Sequence, residues 1–220
     1  MCNQIEQYST VLEIGCGTGH STLSLIQRGH KVIAIEKNEY CLEKAKELIE
    51  TSGYIYGTLK DNIDSCNVIF VLTDICDQDL PKKLSNVSFS VAVCWNIGTY
   101  WSKTMFQFYL RKLLKYGLTL EQITENLESS YAEFIQWHSC KIAREFNVPI
   151  HFIDRNKTPI SKKTDPYYVS LKEEFNYLTI EYDSIKTVSK SSSGRSLTNG
   201  EEIISAEVIE IFLVSVFLTN

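Results

Sequence analysis

The stretch Val11-Leu12-Glu13-Ile14-Gly15-Cys16-Gly17-Thr18-Gly19 constrains this chain more than any other. A short apolar run empties into three glycines at alternate positions. The segment after it runs to Arg28, and Gly29 is placed to end it. The pattern reads as a buried strand, a glycine turn and a helix, the unit that builds open α/β sheets. Glycines lack a Cβ, so the turn can be tight and a ligand can come close to the backbone. The helix aims its first, unpaired N–H groups back at the same place.

Such a turn can cradle a pyrophosphate, and the usual fingerprint is then G-x-G-x-x-G. Here His20 stands where the third glycine belongs, and the glycine falls at Gly19 instead. Glu13, two residues before Gly15, puts a carboxylate beside the turn, which suits a cationic ligand better than a phosphate. These features together resemble the class I S-adenosylmethionine-dependent methyltransferases, strongly over roughly the first hundred residues and faintly after them. A nicotinamide or flavin dinucleotide site, or a turn with no ligand, are the other readings of the turn.

The resemblance implies S-adenosylmethionine as cofactor, S-adenosylhomocysteine as product, and a site residue by residue. Gly15, Cys16, Gly17 and Gly19 form the turn, and Glu13 faces the ammonium at the methionine end, directly or through water. Lys31-Val32-Ile33-Ala34-Ile35 reads as a second strand ending at Glu36, 21 residues after Gly15. An acid at that spacing reaches ribose hydroxyls, and its two oxygens suit a bidentate contact with a diol. A third strand, Val68-Ile69-Phe70-Val71-Leu72, leads to Asp74, which resembles the family acid that accepts from the adenine amino group. Lys37, Ile75 and Trp95 complete the cofactor-binding set. Asp77 and Asp79 read as solvated loop charges.

The first half alternates strand and helix, with Asn38 as a cap for the second helix and a fourth strand over Phe89–Trp95. No period is clear from Tyr54 to Cys66, where helix extension and loop are expected. Two helices follow without a strand between them, over Thr104–Tyr116 and from Thr119 to about Phe146. Thr119 and Gln122 form a capping box, and a break is expected near Ser129-Ser130. A fifth strand covers Pro149–Ile153, followed by a polar loop from Asn156 to Tyr168. Two long strands, Phe175–Val188 and Ile203–Leu218, flank a flexible loop from Lys190 to Gly200. The expected fold is α/β: a Rossmann-like, seven-stranded, mostly parallel sheet with helices on both faces and a C-terminal antiparallel hairpin. Residues 1–220 then form a single methyltransferase domain, with about 100–147 as a helical insertion or cap.

The chain has 220 residues and a net charge of −5, which argues against a broad polyanion-binding face. Seven cysteines are scattered without C-x-x-C pairing, which suggests reduced thiols in a cytoplasmic protein. No metal-ligand spacing is present; His138 with Cys140 reads as helix packing. No signal peptide precedes the first strand, and Glu207 and Glu210 interrupt the longest apolar run, so a soluble chain without a membrane span is expected. The sequence begins about ten residues before the first strand, too few for the N-terminal lid helix that the resemblance would lead one to expect, so the segment Tyr100–Asn147 is the candidate expected to exclude water.

Methyl transfer needs the acceptor held in line, and a base only where the nucleophile carries a proton. A sequence can therefore show the cofactor site and hide the substrate. The fourth-strand exit Trp95-Asn96-Ile97-Gly98-Thr99-Tyr100-Trp101 should face the methyl group, with Asn96 and Tyr100 as catalytic candidates. Its aromatic rings suit a flat or cationic acceptor. Ribosomal RNA adenine-N6 dimethylases share the Leu-Glu-Ile-Gly start and carry Asn-Ile/Leu-Pro-Tyr/Phe at this exit. Here the proline is missing and one residue is inserted. Asp165-Pro166-Tyr167-Tyr168 resembles the Asp-Pro-Pro-Tyr of DNA adenine methylases but lies after the fifth strand and reads as a turn. His138, His151, Asp154 and Tyr167 are the ionisable groups able to act as a base, each read first as structural. The expected acceptor is a small molecule, with nucleic acid not favoured. An RNA methyltransferase and a non-catalytic S-adenosylmethionine-binding protein are the alternatives.

Overall fold

The structure is a computed structural model describing residues 2–97, 103–190, 197–198, 203–204 and 208–220. Its centre is β1 (Thr10–Ile14), whose four core residues are buried on both faces of the sheet. Strands covered on both sides read as continuous apolar runs instead of alternating ones. The same holds for β2 (Lys31–Glu36), β4 (Val68–Leu72) and β5 (Val91–Trp95). β3 (Tyr56–Gly57) is a two-residue edge strand, and β6 (Ile150–Asn156) follows β5 in the sheet. The chain closes with β7 (Thr179–Lys190) and β10 (Val208–Thr219), between which β8 (Leu197–Thr198) and β9 (Ile203–Ile204) pair with each other.

The main sheet has eight strands in the order β3-β4-β2-β1-β5-β6-β10-β7. β10 is antiparallel to β6 and β7, and the remaining neighbours are parallel. The expected architecture is present, with β3 as an eighth strand at the edge. Chain order reverses at β1, whose neighbours are β2 and β5. That switch point opens a crevice at the carboxyl ends of the strands, where open α/β sheets bind ligands.

Helices cover both faces. α1 (His20–Gln27) and α2 (Glu39–Thr51) pack on the side of Val11, Val32, Val91 and Val93. α4 (Lys103–Tyr116), α5 (Leu120–Glu125) and α6 (Leu127–Glu145) pack with Leu12, Ile14, Ala92 and Ile150. A short α3 (Leu80–Leu84) precedes β5, and α7 (Pro166–Glu174) follows β6. Asn38 caps α2 by accepting from the Tyr40 and Cys41 amides, and the Thr119–Gln122 capping box forms.

Several local expectations are corrected. The long helical stretch breaks at Asn126, whose side chain caps α6 from the Ser129 amide at 3.0 Å, not at Ser129-Ser130. Asp165-Pro166 opens a helix: Asp165 accepts from the Tyr168 amide at 3.0 Å and Pro166 supplies a preset φ at its first turn. β7 accordingly starts at Thr179, later than Phe175. Residues 54–66 hold β3 and one 3-10 turn, Ile63–Ser65, with no extension of α2. Most of the loop from Lys190 to Gly200 lies outside the described residues.

Candidate active site

The glycine turn is built as expected. Gly15, Gly17 and Gly19 all have positive φ, at 76°, 55° and 86°. A Cβ on Gly15 would collide with Ile97, and one on Gly19 would lie 2.9 Å from Ala45 of α2. Around Gly17 the space is open, with nothing within 4 Å of where a Cβ would sit. The turn therefore packs on two sides and presents bare backbone on the third. Cys16 is buried, and burial with two nearby carboxylates pushes its thiol far above the usual range, so it stays neutral.

Glu13 is 2% exposed and takes hydrogen bonds from the Ser21 hydroxyl and, at 2.6 Å, the Thr22 hydroxyl. Both donors lie in the first turn of α1, so the acid locks that helix to β1. Burial raises its pKa to about 7, against the pull of the two hydroxyls. Glu36, at the end of β2, accepts from the Gly17 amide at 2.9 Å through Oε2. Its Oε1 accepts from the Lys37 and Asn38 amides at 2.9 and 2.8 Å. A carboxylate offers about four acceptor positions, so the opening left is on Oε2. The open acceptor position beside the turn is therefore on a single oxygen of Glu36.

Asp74 follows β4. Its Oδ1 accepts from the Cys76 amide at 3.0 Å, and its Oδ2 accepts from the Tyr109 hydroxyl of α4 at 2.6 Å, with Lys112 Nζ 3.6 Å away. Burial alone would raise this acid, but the Tyr109 hydroxyl, the Cys76 amide and Lys112 outweigh it and hold it below the usual carboxylate range. Lys37 points to the same place: its Nζ donates to the Tyr131 and Tyr109 hydroxyls at 2.6 and 3.2 Å and sits 4.3–4.4 Å from both ring centroids. Burial lowers its pKa despite Asp74 and Glu36. Ile75 is buried in the core beneath. Sequence reading named Lys37 and Asp74 but gave no site role to Tyr109 or Tyr131. Both are buried, and only the fold brings their hydroxyls, from two separate helices, onto these charges.

Trp95 ends β5. Its indole N–H donates to His151 Nδ1 at 3.1 Å; His151 Nε2 meets Ser215 Oγ at 2.6 Å, and Ser215 donates to Gln4 at 2.7 Å. His151 is fully buried, and burial drives its pKa down to about 3, so it links the indole to Ser215 as a neutral imidazole. Burial also lowers His138, to about 4; its ring packs edge-on against Phe134 and Trp137. The Tyr167 hydroxyl is spent on the Glu133 carbonyl at 3.1 Å. Asn96 leaves β5 with φ 59°, and its Oδ1 is buried without a hydrogen-bond partner. Gly98, Thr99, Tyr100 and Trp101 lie outside the described residues. Among the described residues no three His, Cys, Asp or Glu side chains gather as a metal set, and no helix is long and apolar enough to cross a membrane.

Comparison with known proteins agrees with this geometry. Residues 11–117 match the family described as "Methyltransferase domain". A probable dimethyladenosine transferase from Dictyostelium discoideum is 31% identical over 84 residues, covering 38% of this chain and 27% of that protein. Among solved structures, the methyltransferase domain of bacterial CtHen1-CN aligns with 99% of this chain and 93% of its own at a TM-score of 0.53 and 11% identity. The N-terminal domain of EvdMO1, solved with S-adenosylhomocysteine bound, aligns with 100% and 78% at 0.52 and 15%. In a further EvdMO1 structure with a longer chain, this chain spans 39% of that chain's length. Residues 11–117 thus match a methyltransferase domain, the chain shares the fold of solved methyltransferase domains, and the cofactor such domains imply is S-adenosylmethionine. The cradle fits that cofactor: backbone is bare at Gly17, and an acid with an acceptor position to spare stands at the neighbouring strand end.

Proposed function

We propose that this protein transfers a methyl group from S-adenosylmethionine to a small-molecule acceptor. The observation that carries this reading is the placement of Glu36 and Asp74 at the ends of β2 and β4, the two strands next in order on one side of β1 and its turn. In this reading Glu36 Oε2 takes a ribose hydroxyl, Asp74 takes the adenine amino group beside Ile75, and the bare turn at Gly17 lets the methionine chain pass. Glu13 acts from behind the turn, not by direct contact, because its oxygens are held by Ser21 and Thr22. Bound there, the cofactor supplies a methyl group on a sulfonium, and the chain's task is to orient the acceptor and keep water out. Trp95, fixed by His151, and Asn96 form the described edge of the acceptor side. We read the chain as one domain, with α4 reaching over the cofactor side through Tyr109, and as cytoplasmic from its cysteine usage.

RNA is the second reading, favoured by the similarity to the Dictyostelium protein, whose name specifies dimethyladenosine. Incubation with S-adenosylmethionine labelled in its methyl group, followed by separation of small molecules from RNA, decides between them. Label in the small-molecule pool is expected. Label in the RNA would replace this acceptor by the second reading.

A further inference from the structure

The tips of β5 and β6 carry two acceptor groups side by side. Trp95 pairs in register with Ile153, and the Asn96 amide donates to the Ile153 carbonyl at 2.7 Å. Asn96, just past the end of β5, and Asp154, still inside β6, therefore lie at the same level on neighbouring backbones roughly 4.8 Å apart. Both belong to the end of the sheet where β1 and β5 open the ligand crevice.

Each group has capacity that the protein leaves unused. Asn96 Oδ1 is buried and accepts nothing, on a residue held in the left-handed region. Asp154 accepts one hydrogen bond per oxygen: the Arg155 amide on Oδ1 at 2.7 Å and Gln136 Nε2 on Oδ2 at 3.2 Å. A carboxylate can take about four. Gln136 is itself buried in α6 and gives its other Nε2 hydrogen to the Tyr168 hydroxyl at 3.0 Å, so Asp154 is braced from α6 and α7. A buried acceptor without a donor is rare in folded proteins and calls for an explanation, of which an absent ligand donor is one.

We infer that Asn96 and Asp154 form the recognition pair for the methyl acceptor, and that the acceptor presents an amine. This rests on the methyltransferase reading above. Asn96 Oδ1 and the Asp154 carboxylate are two open acceptors, one of them charged, and together they favour a group with several N–H bonds; a carboxylate or phosphate would be repelled. In the transfer, the amine lone pair forms the N–CH3 bond while the C–S bond breaks with its electron pair staying on sulfur. The proton then carried by the methylated nitrogen passes to the Asp154 carboxylate. Burial, only partly offset by the Arg155 and Gln136 contacts, raises Asp154 above the ordinary carboxylate range and improves it as a proton acceptor.

The test uses the full chain saturated with S-adenosylhomocysteine and probed with propylamine, propan-1-ol and propionate at equal millimolar concentrations. The Asn96 side-chain amide and the Asp154 carboxyl are followed by NMR, assigned through Asn96→Gly and Asp154→Asn. Propylamine is expected to move both signals and the other two probes neither. Asp154→Asn should weaken propylamine by about tenfold or more, with S-adenosylhomocysteine binding unchanged. Propylamine moving neither signal, or propionate moving them as much, overturns the pair. Failure of the wild-type protein to bind S-adenosylhomocysteine would instead remove the methyltransferase reading.

Discussion

The Glu36 carboxylate accepts a hydrogen bond from the Gly17 amide at 2.9 Å, tying the end of β2 to the turn after β1. One acid thus shapes the cradle and offers its remaining acceptor position to a ligand. Glu36→Ala is expected to weaken S-adenosylmethionine by about 1.5–3 kcal/mol, read by calorimetric titration. An unchanged affinity would remove the ribose role from Glu36 and leave it as a brace for the turn.

Glu13 makes a prediction of unusual sign. Its folded pKa of about 7 lies above the ordinary 4.5, so the folded protein holds more protons there than the unfolded chain does. Between those two values this group makes stability fall as pH rises, by about 3 kcal/mol in all. Glu13→Gln should therefore melt higher than wild type above neutral pH and flatten that decline. A variant that melts lower at every pH would show that the ionised carboxylate is needed for the fold.

His151 has the opposite sign. Its pKa falls from 6.5 to about 3 on folding, so its contribution is complete above pH 6.5 and is lost as pH drops toward 3. His151→Leu should be less stable at neutral pH by roughly 1–3 kcal/mol, because the Trp95 indole and Ser215 lose a buried partner. Its urea midpoint should also fall less steeply on acidification. Equal slopes for variant and wild type would contradict a buried neutral imidazole.

The legible part of this protein is the part written locally. Val11 to Gly19 is strand and glycine turn within nine consecutive residues, and Glu36 and Asp74 each follow a recognisable apolar strand run. The Glu13 partners Ser21 and Thr22 were within reach of the same logic, since a buried acid beside a helix start needs donors. α7 was missed although Asp165-Pro166 is a helix-opening pair, because the positions after it show little amphipathic order. The contacts of Lys37 with Tyr109 and Tyr131 span 72 and 94 residues, and Trp95 meets His151 across 56. No local pattern encodes such pairs; the strand order creates them.

Tyr109 links the helical layer to the cofactor side through its 2.6 Å hydrogen bond to Asp74. Tyr109→Phe keeps the ring and removes that donor, which should cost about 1–3 kcal/mol of stability in urea unfolding. It should also raise the pKa of Asp74, since the Tyr109 hydroxyl is the foremost group holding that acid down. Stability and titration both unchanged would mean that solvent or Lys112 replaces the hydroxyl without loss.

Calorimetric titration of the purified protein with S-adenosylmethionine, S-adenosylhomocysteine and NAD tests the central claim most directly. The turn with Gly19 in place of a later glycine, and the acids Glu13, Glu36 and Asp74 around it, predict micromolar binding of both S-adenosyl compounds and none of NAD. Binding of NAD alone, or of none of the three, would contradict the account.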